Sequence, residues 1–414
     1  MNSPSLARSP NATVATYLLL LINCLSPMAA IVVAPSLPQM QSHFAAVPNV
    51  EFLVPIALTI PGLLVALLSP LVGMLADRFG RKRLLVWAIV GYGVLGTLPL
   101  ILESLYTLIA SRVALGCVEA VIVTISTMLI GDYYSGAQRQ KYLALQTTFA
   151  SASAILFFMI GGALGEMGWR VPYVVYAVPL LLAVFSQALL WEPRAAELAR
   201  DQEEGGEGAQ VFRPWLLLGI CLITFVGAVA FMVLQIQMAY LLGGIGESSP
   251  RTAGMIASAC SVMIVLGTLA VHLLTRLGLR TPHCLTFAFG LIALSFLLIP
   301  GARDSQTMLA VALVNGLGCG LLLPTLAIWN MRELPWFRRG MGTGMWYGSY
   351  CLGMFLSPIL VVAASKVSGS LPLTIGWLGW CLLPIALAAL FASLWRRPRK
   401  PCTVRVVAAN LEDA

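Results

Sequence analysis

Long apolar runs alternate with short polar punctuation along the whole chain, and cutting at the punctuation leaves twelve runs. They fall near residues 14–34, 50–74, 84–102, 105–131, 142–164 and 171–191, then near 214–242, 253–275, 283–300, 307–330, 341–364 and 373–395. Stretches such as Val14 to Val33, Leu84 to Leu102 and Trp215 to Val233 hold about twenty residues with almost no charge. At about 1.5 Å per residue, such a helix reaches across a hydrocarbon core of about 30 Å. The pattern predicts an all-α membrane protein with twelve transmembrane helices. The longest hydrophilic break, Glu192 to Arg213, contains Glu203-Glu204-Gly205-Gly206-Glu207-Gly208 and reads as a solvated linker. It divides the chain into a six-helix bundle over 1–191, a linker over 192–213, a second six-helix bundle over 214–395 and a tail over 396–414.

Composition agrees with this reading. Of 414 residues, 59% are hydrophobic and 10% charged, too few charges to cover a soluble protein of this length. The net charge of +8 would suit a nucleic-acid partner, but the basic residues sit at the ends of apolar runs and act as orientation signals. With the N-terminus in the cytoplasm, twenty Lys and Arg fall on the inner side, among them Arg78, Arg81, Lys82, Arg83, Arg139 and Arg396. Only Arg170, Arg251, Arg303 and Lys366 fall outside, and Arg112 lies within a run. Both termini are therefore expected in the cytoplasm, with the lipid bilayer as the principal partner and no nucleic acid.

The first run is expected to be a retained helix, since its leader carries only Arg8 and no convincing cleavage site follows. The sequon Asn11-Ala12-Thr13 lies in that leader and is read as chance. Nine cysteines are scattered singly, with no CxxC pair, and imply buried packing rather than disulfides or zinc. No histidine stands with acids at metal-like spacing, so no metal and no cofactor is expected. The halves also repeat. Asp77-Arg78-Phe79-Gly80-Arg81-Lys82, after the second run, matches Thr275-Arg276-Leu277-Gly278-Leu279-Arg280, after the eighth, and Gly116 aligns with Gly316. Repeated bundles suit rocking about a site near the midplane.

The second turn reads Gly73-Met74-Leu75-Ala76-Asp77-Arg78-Phe79-Gly80-Arg81-Lys82-Arg83. Gly73 and Gly80 permit close helix contact and a tight turn, and the alternating charges can form a network at the bundle ends. This stretch resembles the G-x-L-A-D-R-x-G-R-K loop of the major facilitator superfamily, and in motif the chain is closest to the twelve-span drug or metabolite:proton antiporters. The resemblance implies secondary transport by alternating access. It also implies a latch for the outward-facing state, made by Asp77 and Arg81 with Asp132 and framed by Gly73, Arg78 and Gly80.

Arg112-Val113-Ala114-Leu115-Gly116-Cys117-Val118-Glu119-Ala120, in the fourth run, resembles the superfamily signature R-x-x-Q-G-x-G-A-A, which is linked to proton coupling. Leu115 and Glu119 depart from it. An ionisable group near a bilayer centre costs about 3 kcal/mol, so both charged residues should face protein or water. Seven residues turn a helix by about 700°, which places Arg112 and Glu119 on one face about 10 Å apart. Proton coupling through Glu119 and Arg112 competes with a structural ion pair, or with an arginine that caps neighbouring carbonyls. The second half has Ala312 and Cys319 at these positions, which favours chemistry over fold. The exporter signature G-x-x-x-G-P-x-x-G-G aligns with Ser153 to Gly162, but Phe157-Phe158 replace Gly-Pro and only Gly161-Gly162 remain.

Polar groups expected to line the cavity are Asn23, Gln146, Gln235, Gln237, Tyr240, Asn315, Asn330 and Trp346, with Trp329 and Tyr347 as further candidates. Each competes with a role as helix–helix glue or interfacial anchor. An enzyme would need paired acids, a Cys/His couple or metal ligands at the bilayer surface, and no such cluster is apparent. An ATP-driven pump would need a G-x-x-x-x-G-K-[ST] loop, which is absent. The expected function is proton-coupled export of a small, partly apolar molecule by a monomeric inner-membrane transporter. Uptake of a small metabolite by proton symport is the alternative.

Overall fold

The computed structural model describes residues 12–134, 136–192, 214–334 and 339–395. The expected leader with Asn11, the linker beyond Glu192 and the tail lie outside the described residues. The chain is built of helices, and twelve are long and apolar enough to span a bilayer. These spans, numbered 1 to 12, are Thr13–His43, Val50–Ala76, Arg81–Leu100, Leu105–Tyr133, Gln138–Gly165 and Val171–Leu189, then Pro214–Gly244, Pro250–Arg276, Thr281–Gly301, Ser305–Glu333, Met341–Ser368 and Leu371–Phe391. Each half has its own buried apolar cluster, so the fold is two pseudo-symmetric six-helix bundles.

The repeat is written into the backbone. Gly80 turns the chain between spans 2 and 3 with φ +86°, and Gly278 turns it between spans 8 and 9 with φ +82°, a region that favours glycine. A side chain at Gly116 would stand 2.7 Å from the Pro61 Cα of span 2, and one at Gly316 would strike the Cys260 carbonyl of span 8. The same small-residue contact therefore sets span 4 against span 2 and span 10 against span 8.

Span 1 departs from its expected single helix. It is broken into Ala12–Asn23, Leu25–Ile31 and Leu37–His43, joined by a short 3₁₀ turn at Ala34–Ser36. Pro27, Pro35 and Pro38 supply no N–H and disfavour one continuous helix. In a membrane, carbonyls along such an interrupted span can take further donors only from the protein. The Tyr92 hydroxyl of span 3 donates to the Leu25 carbonyl at 2.6 Å, and the Tyr176 hydroxyl of span 6 donates to the Ala29 carbonyl at 3.0 Å. Both tyrosines are fully buried.

The halves meet along a seam that is tight at one end. A side chain at Gly162 of span 5 would stand 2.7 Å from the Pro250 carbonyl and 2.9 Å from the Gly254 Cα of span 8. The Ser258 hydroxyl of span 8 donates to the Ile155 carbonyl of span 5 at 2.9 Å. At the opposite end, where the Asp77 turn lies, Gly73, Gly344 and Gly348 have no heavy atom within 4 Å of a Cβ position. Gly73 was expected to permit close helix contact; here its Cβ position faces open space. Tyr92→Phe, which strips the donor from the Leu25 carbonyl, is expected to destabilise the fold by about 1 kcal/mol in detergent unfolding.

Candidate functional site

Among the described residues, the two buried ionisable side chains of opposite sign, Arg112 and Glu119, are both on span 4, and their neighbours lead them apart. Glu119 is 2% exposed, and its Oε1 accepts a hydrogen bond from the Ser26 hydroxyl at 2.7 Å. Ser26 stands in the middle piece of the broken span 1, beside the Leu25 carbonyl that Tyr92 bonds, and this piece brings its hydroxyl to the acid. The second oxygen, Oε2, is buried without a hydrogen-bond partner. Tyr347 and Cys351, on span 11 in the other half, are near enough to interact electrostatically with this carboxyl. Glu119 therefore lies at the seam between the halves. Ser26 had no place among the expected site residues; a Ser-Pro pair inside an apolar run was its only signal.

Arg112, also 2% exposed, turns the other way. Its Nη2 donates to the carbonyls of Leu95 at 2.8 Å and Gly96 at 3.3 Å, both on span 3. The guanidinium lies 5.3 Å from the ring centres of Tyr173 and Tyr176. No ion pair joins it to Glu119, so the shared face predicted by helix geometry does not become a shared contact. Carbonyl capping, one of the structural alternatives, describes what its Nη2 does.

Around the Asp77 turn, Arg81 pairs with Asp132 and each side chain is 12% exposed. Arg78 lies over the Phe79 ring at 5.5 Å. The backbone of Asp77 is in the last turn of its helix, but its side chain lies outside the described residues. A further residue, Glu192, joins this cluster. Its carboxylate accepts from the backbone N–H of Arg81 at 2.5 Å and of Lys82 at 2.8 Å, capping the start of span 3. Trp191, whose ring stacks on Tyr133 at 4.0 Å, holds it there. Glu192 was expected to open the solvated linker; the structure binds it to the first half instead.

The expected cavity amides divide into two groups. Gln146 is 4% exposed and its Nε2 donates to the Thr127 hydroxyl of span 4 at 3.1 Å; Asn315 is fully buried and its Nδ2 donates to the Ser295 hydroxyl of span 9 at 3.0 Å. Both are committed to neighbouring helices within their own half, which is a correction to their placement as cavity groups. Gln237 Nε2, the Tyr240 hydroxyl, Asn330 Oδ1 and Trp346 Nε1 are buried with no partner and keep hydrogen-bonding capacity for a solute. Tyr240 packs against the first half's core and so stands at the seam. Asn23 and Gln235 are half-buried, Asn23 one residue before the break in span 1. Tyr347 and Tyr350 of span 11, with rings 6.2 Å apart, form an aromatic wall with Phe231 of span 7. Among the described residues, no cluster of His, Cys, Asp or Glu could hold a metal.

Polar contacts tie the closed end of the seam. Glu166, just past span 5, accepts from the Ser249 hydroxyl at 2.5 Å and from the Arg251 N–H at 3.1 Å. The Ser249 hydroxyl, with the Arg251 N–H adding to it, holds the Glu166 carboxyl below the usual carboxylate range. Glu51 of span 2 pairs with Lys366 of span 11 at 2.6 Å. The ionised form of Glu166 is the one bound, so its contribution to closure is present above that range and is lost as pH falls through it. Ser258→Cys, buried in the seam, is expected to react slowly with a maleimide. Adding Glu166→Gln should speed the reaction severalfold when both variants are labelled at the same neutral pH.

The sequence profile described as Major Facilitator Superfamily matches residues 19–248, more than half of the chain. The chain is similar to the "Multidrug efflux pump LfrA" of Mycolicibacterium smegmatis, 30% identical over 206 residues, which cover 49% of this chain and 39% of that protein. It is similar to the "Tetracycline resistance protein, class C" of Escherichia coli, 24% identical over 83% of this chain and 87% of that protein. The "3-(3-hydroxy-phenyl)propionate transporter" of Escherichia coli K12 is 26% identical over 83% and 84%. Among solved structures, a bacterial homologue of the lysosomal transporter Spinster, inward-facing and occupied, aligns with TM-score 0.73 at 16% identity, covering 94% of this chain and 97% of that one. A D-xylose–proton symporter aligns with TM-score 0.71 at 16% identity, over 92% and 96%. The chain is a multi-pass membrane transporter and belongs to the Major Facilitator Superfamily.

Proposed function

We propose that this chain exports a small, partly apolar molecule by alternating access, driven by protons that Glu119 binds and releases. The observation that carries this reading is the position of Glu119: an acid buried at the seam, with one oxygen on a serine of the broken span 1 and the other unmatched. Rocking the halves changes which groups and how much water surround that carboxyl. An acid in a low-dielectric site favours its neutral form, and water or a cation favours the charged one. A conformation-dependent proton affinity couples a proton gradient to solute movement. Arg112, about 10 Å away on the same helix, contributes about 1–2 kcal/mol of attraction for the ionised acid at an effective dielectric of about 20.

The aromatic wall of Phe231, Tyr347 and Tyr350 and the unpartnered Gln237, Tyr240, Asn330 and Trp346 suit a solute that is mostly apolar with a few polar atoms. The printed names of the efflux and resistance relatives support export; that of the aromatic-acid transporter supports the alternative, uptake by proton symport. We place the Asp77 turn and both termini in the cytoplasm of a bacterial inner membrane, on the distribution of Lys and Arg. The structure is then inward-facing, with Arg81 already paired to Asp132 within the first half, and this cluster presents Asp77 to the second half as the latch of the opposite state, in which their end of the seam closes.

In proteoliposomes with an imposed pH gradient, Glu119→Gln is expected to bind solute and exchange it downhill but to lose accumulation against a gradient. Accumulation that survives in this variant would remove Glu119 from the coupling step. For orientation, a reporter fused after Ala414 should be active only in the cytoplasm, and one inserted near Glu247 only outside. The reverse pattern would overturn the inward-facing assignment.

A further inference from the structure

The groups in direct contact with Arg112 do not neutralise its positive charge, and Glu119, about 10 Å along the same helix, makes no hydrogen bond to it. An arginine does not escape burial by losing its proton, and buried charges are ordinarily paired or bound to an ion. Two carbonyls, the Ser111 hydroxyl at 3.4 Å and two tyrosine faces surround the guanidinium, and all of these are neutral. Arg81–Asp132 and Lys366–Glu51 are ion pairs elsewhere in the chain, and neither involves Arg112. Nη1 is buried and has no hydrogen-bond partner.

A small cavity adjoins this group. Arg112, Tyr173 and Tyr176 line it together with Ala57, Leu58 and Met40, and it has room for about one water-sized occupant. The Tyr173 hydroxyl has the Met40 sulfur, at 4.0 Å, as its partner. A thioether is a weak acceptor, so that proton remains available to a stronger one. The Tyr176 hydroxyl is engaged with the Ala29 carbonyl and closes the other side. The cavity thus offers a guanidinium N–H and a phenol O–H inside an otherwise apolar wall. A water molecule would accept from both donors but would leave the charge uncompensated.

We propose that this cavity is a binding site for one monovalent anion of halide size, which in a cell is chloride, held by Arg112 Nη1 and the Tyr173 hydroxyl. Its size excludes sulfate and organic acids. The apolar wall disfavours fluoride, whose hydration the site does not replace. The site is separate from the Glu119 seam: it faces spans 1, 2, 4 and 6 within the first half. A resident anion there would make the first bundle's folding and packing depend on halide.

The test is a thermal unfolding series on the purified full-length protein in detergent, at constant ionic strength, with sodium gluconate replaced by chloride, bromide or sulfate. Chloride and bromide are expected to raise the unfolding midpoint saturably, and sulfate to leave it where gluconate does. Tyr173→Phe keeps the ring and loses one donor, so the half-saturating chloride concentration should rise about tenfold. In crystals grown with bromide, an anomalous peak beside Arg112 should accompany the shift. Equal midpoints in all four salts would show that the cavity holds water, and would overturn the proposal. A saturable shift that Tyr173→Phe leaves unchanged would place the ion elsewhere, and would overturn it equally. Because the readout is binding, either failure leaves the role of Glu119 in transport untouched.

Discussion

Inside a bilayer, a polar group has no water to turn to, and each one must find its partner within the protein. The broken first span makes that constraint visible. Its prolines interrupt the helix, and tyrosines from spans 3 and 6 reach across to donate to the Leu25 and Ala29 carbonyls of its middle piece. One of those rings, Tyr176, lies with Tyr173 against Arg112, and Tyr92 packs on Tyr176; the same interrupted span presents Ser26 to Glu119. The first half is organised around satisfying span 1, and the chemistry of the candidate site is a consequence. Loss of a capping hydroxyl would therefore disturb the acid as well as the fold.

Close backbone approach is the second constraint, and it explains how the halves can move. Gly116 and Gly316 fix helices within each bundle, where the packing is repeated. Gly162 and Gly254 instead bring spans from different bundles together, with Glu166 and Ser249 just beyond them. A contact made by glycine backbones is tight when formed but has no interdigitated side chains to unpack when it opens. The polar contacts at the bundle ends are exposed or half-buried and exchange with water at little cost. The ends of the seam are thus held by contacts that can part at little cost.

Much of this was legible in the sequence, for physical reasons. Twenty apolar residues in a row have few fates, so all twelve spans were recoverable, and the glycine at the Asp77 turn recurs at Gly278 with the same positive φ. What the sequence withheld was rotation and distance. These helices are apolar on nearly every side, so no polar stripe marks which face looks inward. Gln146 and Asn315 could not be told from cavity groups until Thr127 and Ser295 were seen beside them. Arg112 and Glu119 share a helical face, yet a long side chain goes where its acceptors are, and the carbonyls of Leu95 and Gly96 lie away from the acid. Glu192 was hidden by its place at the head of a hydrophilic stretch, because its partners lie 110 residues and more earlier in the chain.

The central claim is that two rigid bundles rock about the seam and that the charge on Glu119 biases the motion. The most direct measurement places spin labels on cysteines at two pairs of exposed positions, Met167 with Val367 at the closed end and Gln140 with Leu277 at the Asp77 end, in a background without the exposed Cys117 and Cys381. The distances are then read in lipid over a range of pH. The account predicts that one distance shortens as the other lengthens, and that Glu119→Gln greatly reduces the response to pH. Distances that change in the same sense at both ends, or a pH response undiminished by Glu119→Gln, would contradict it.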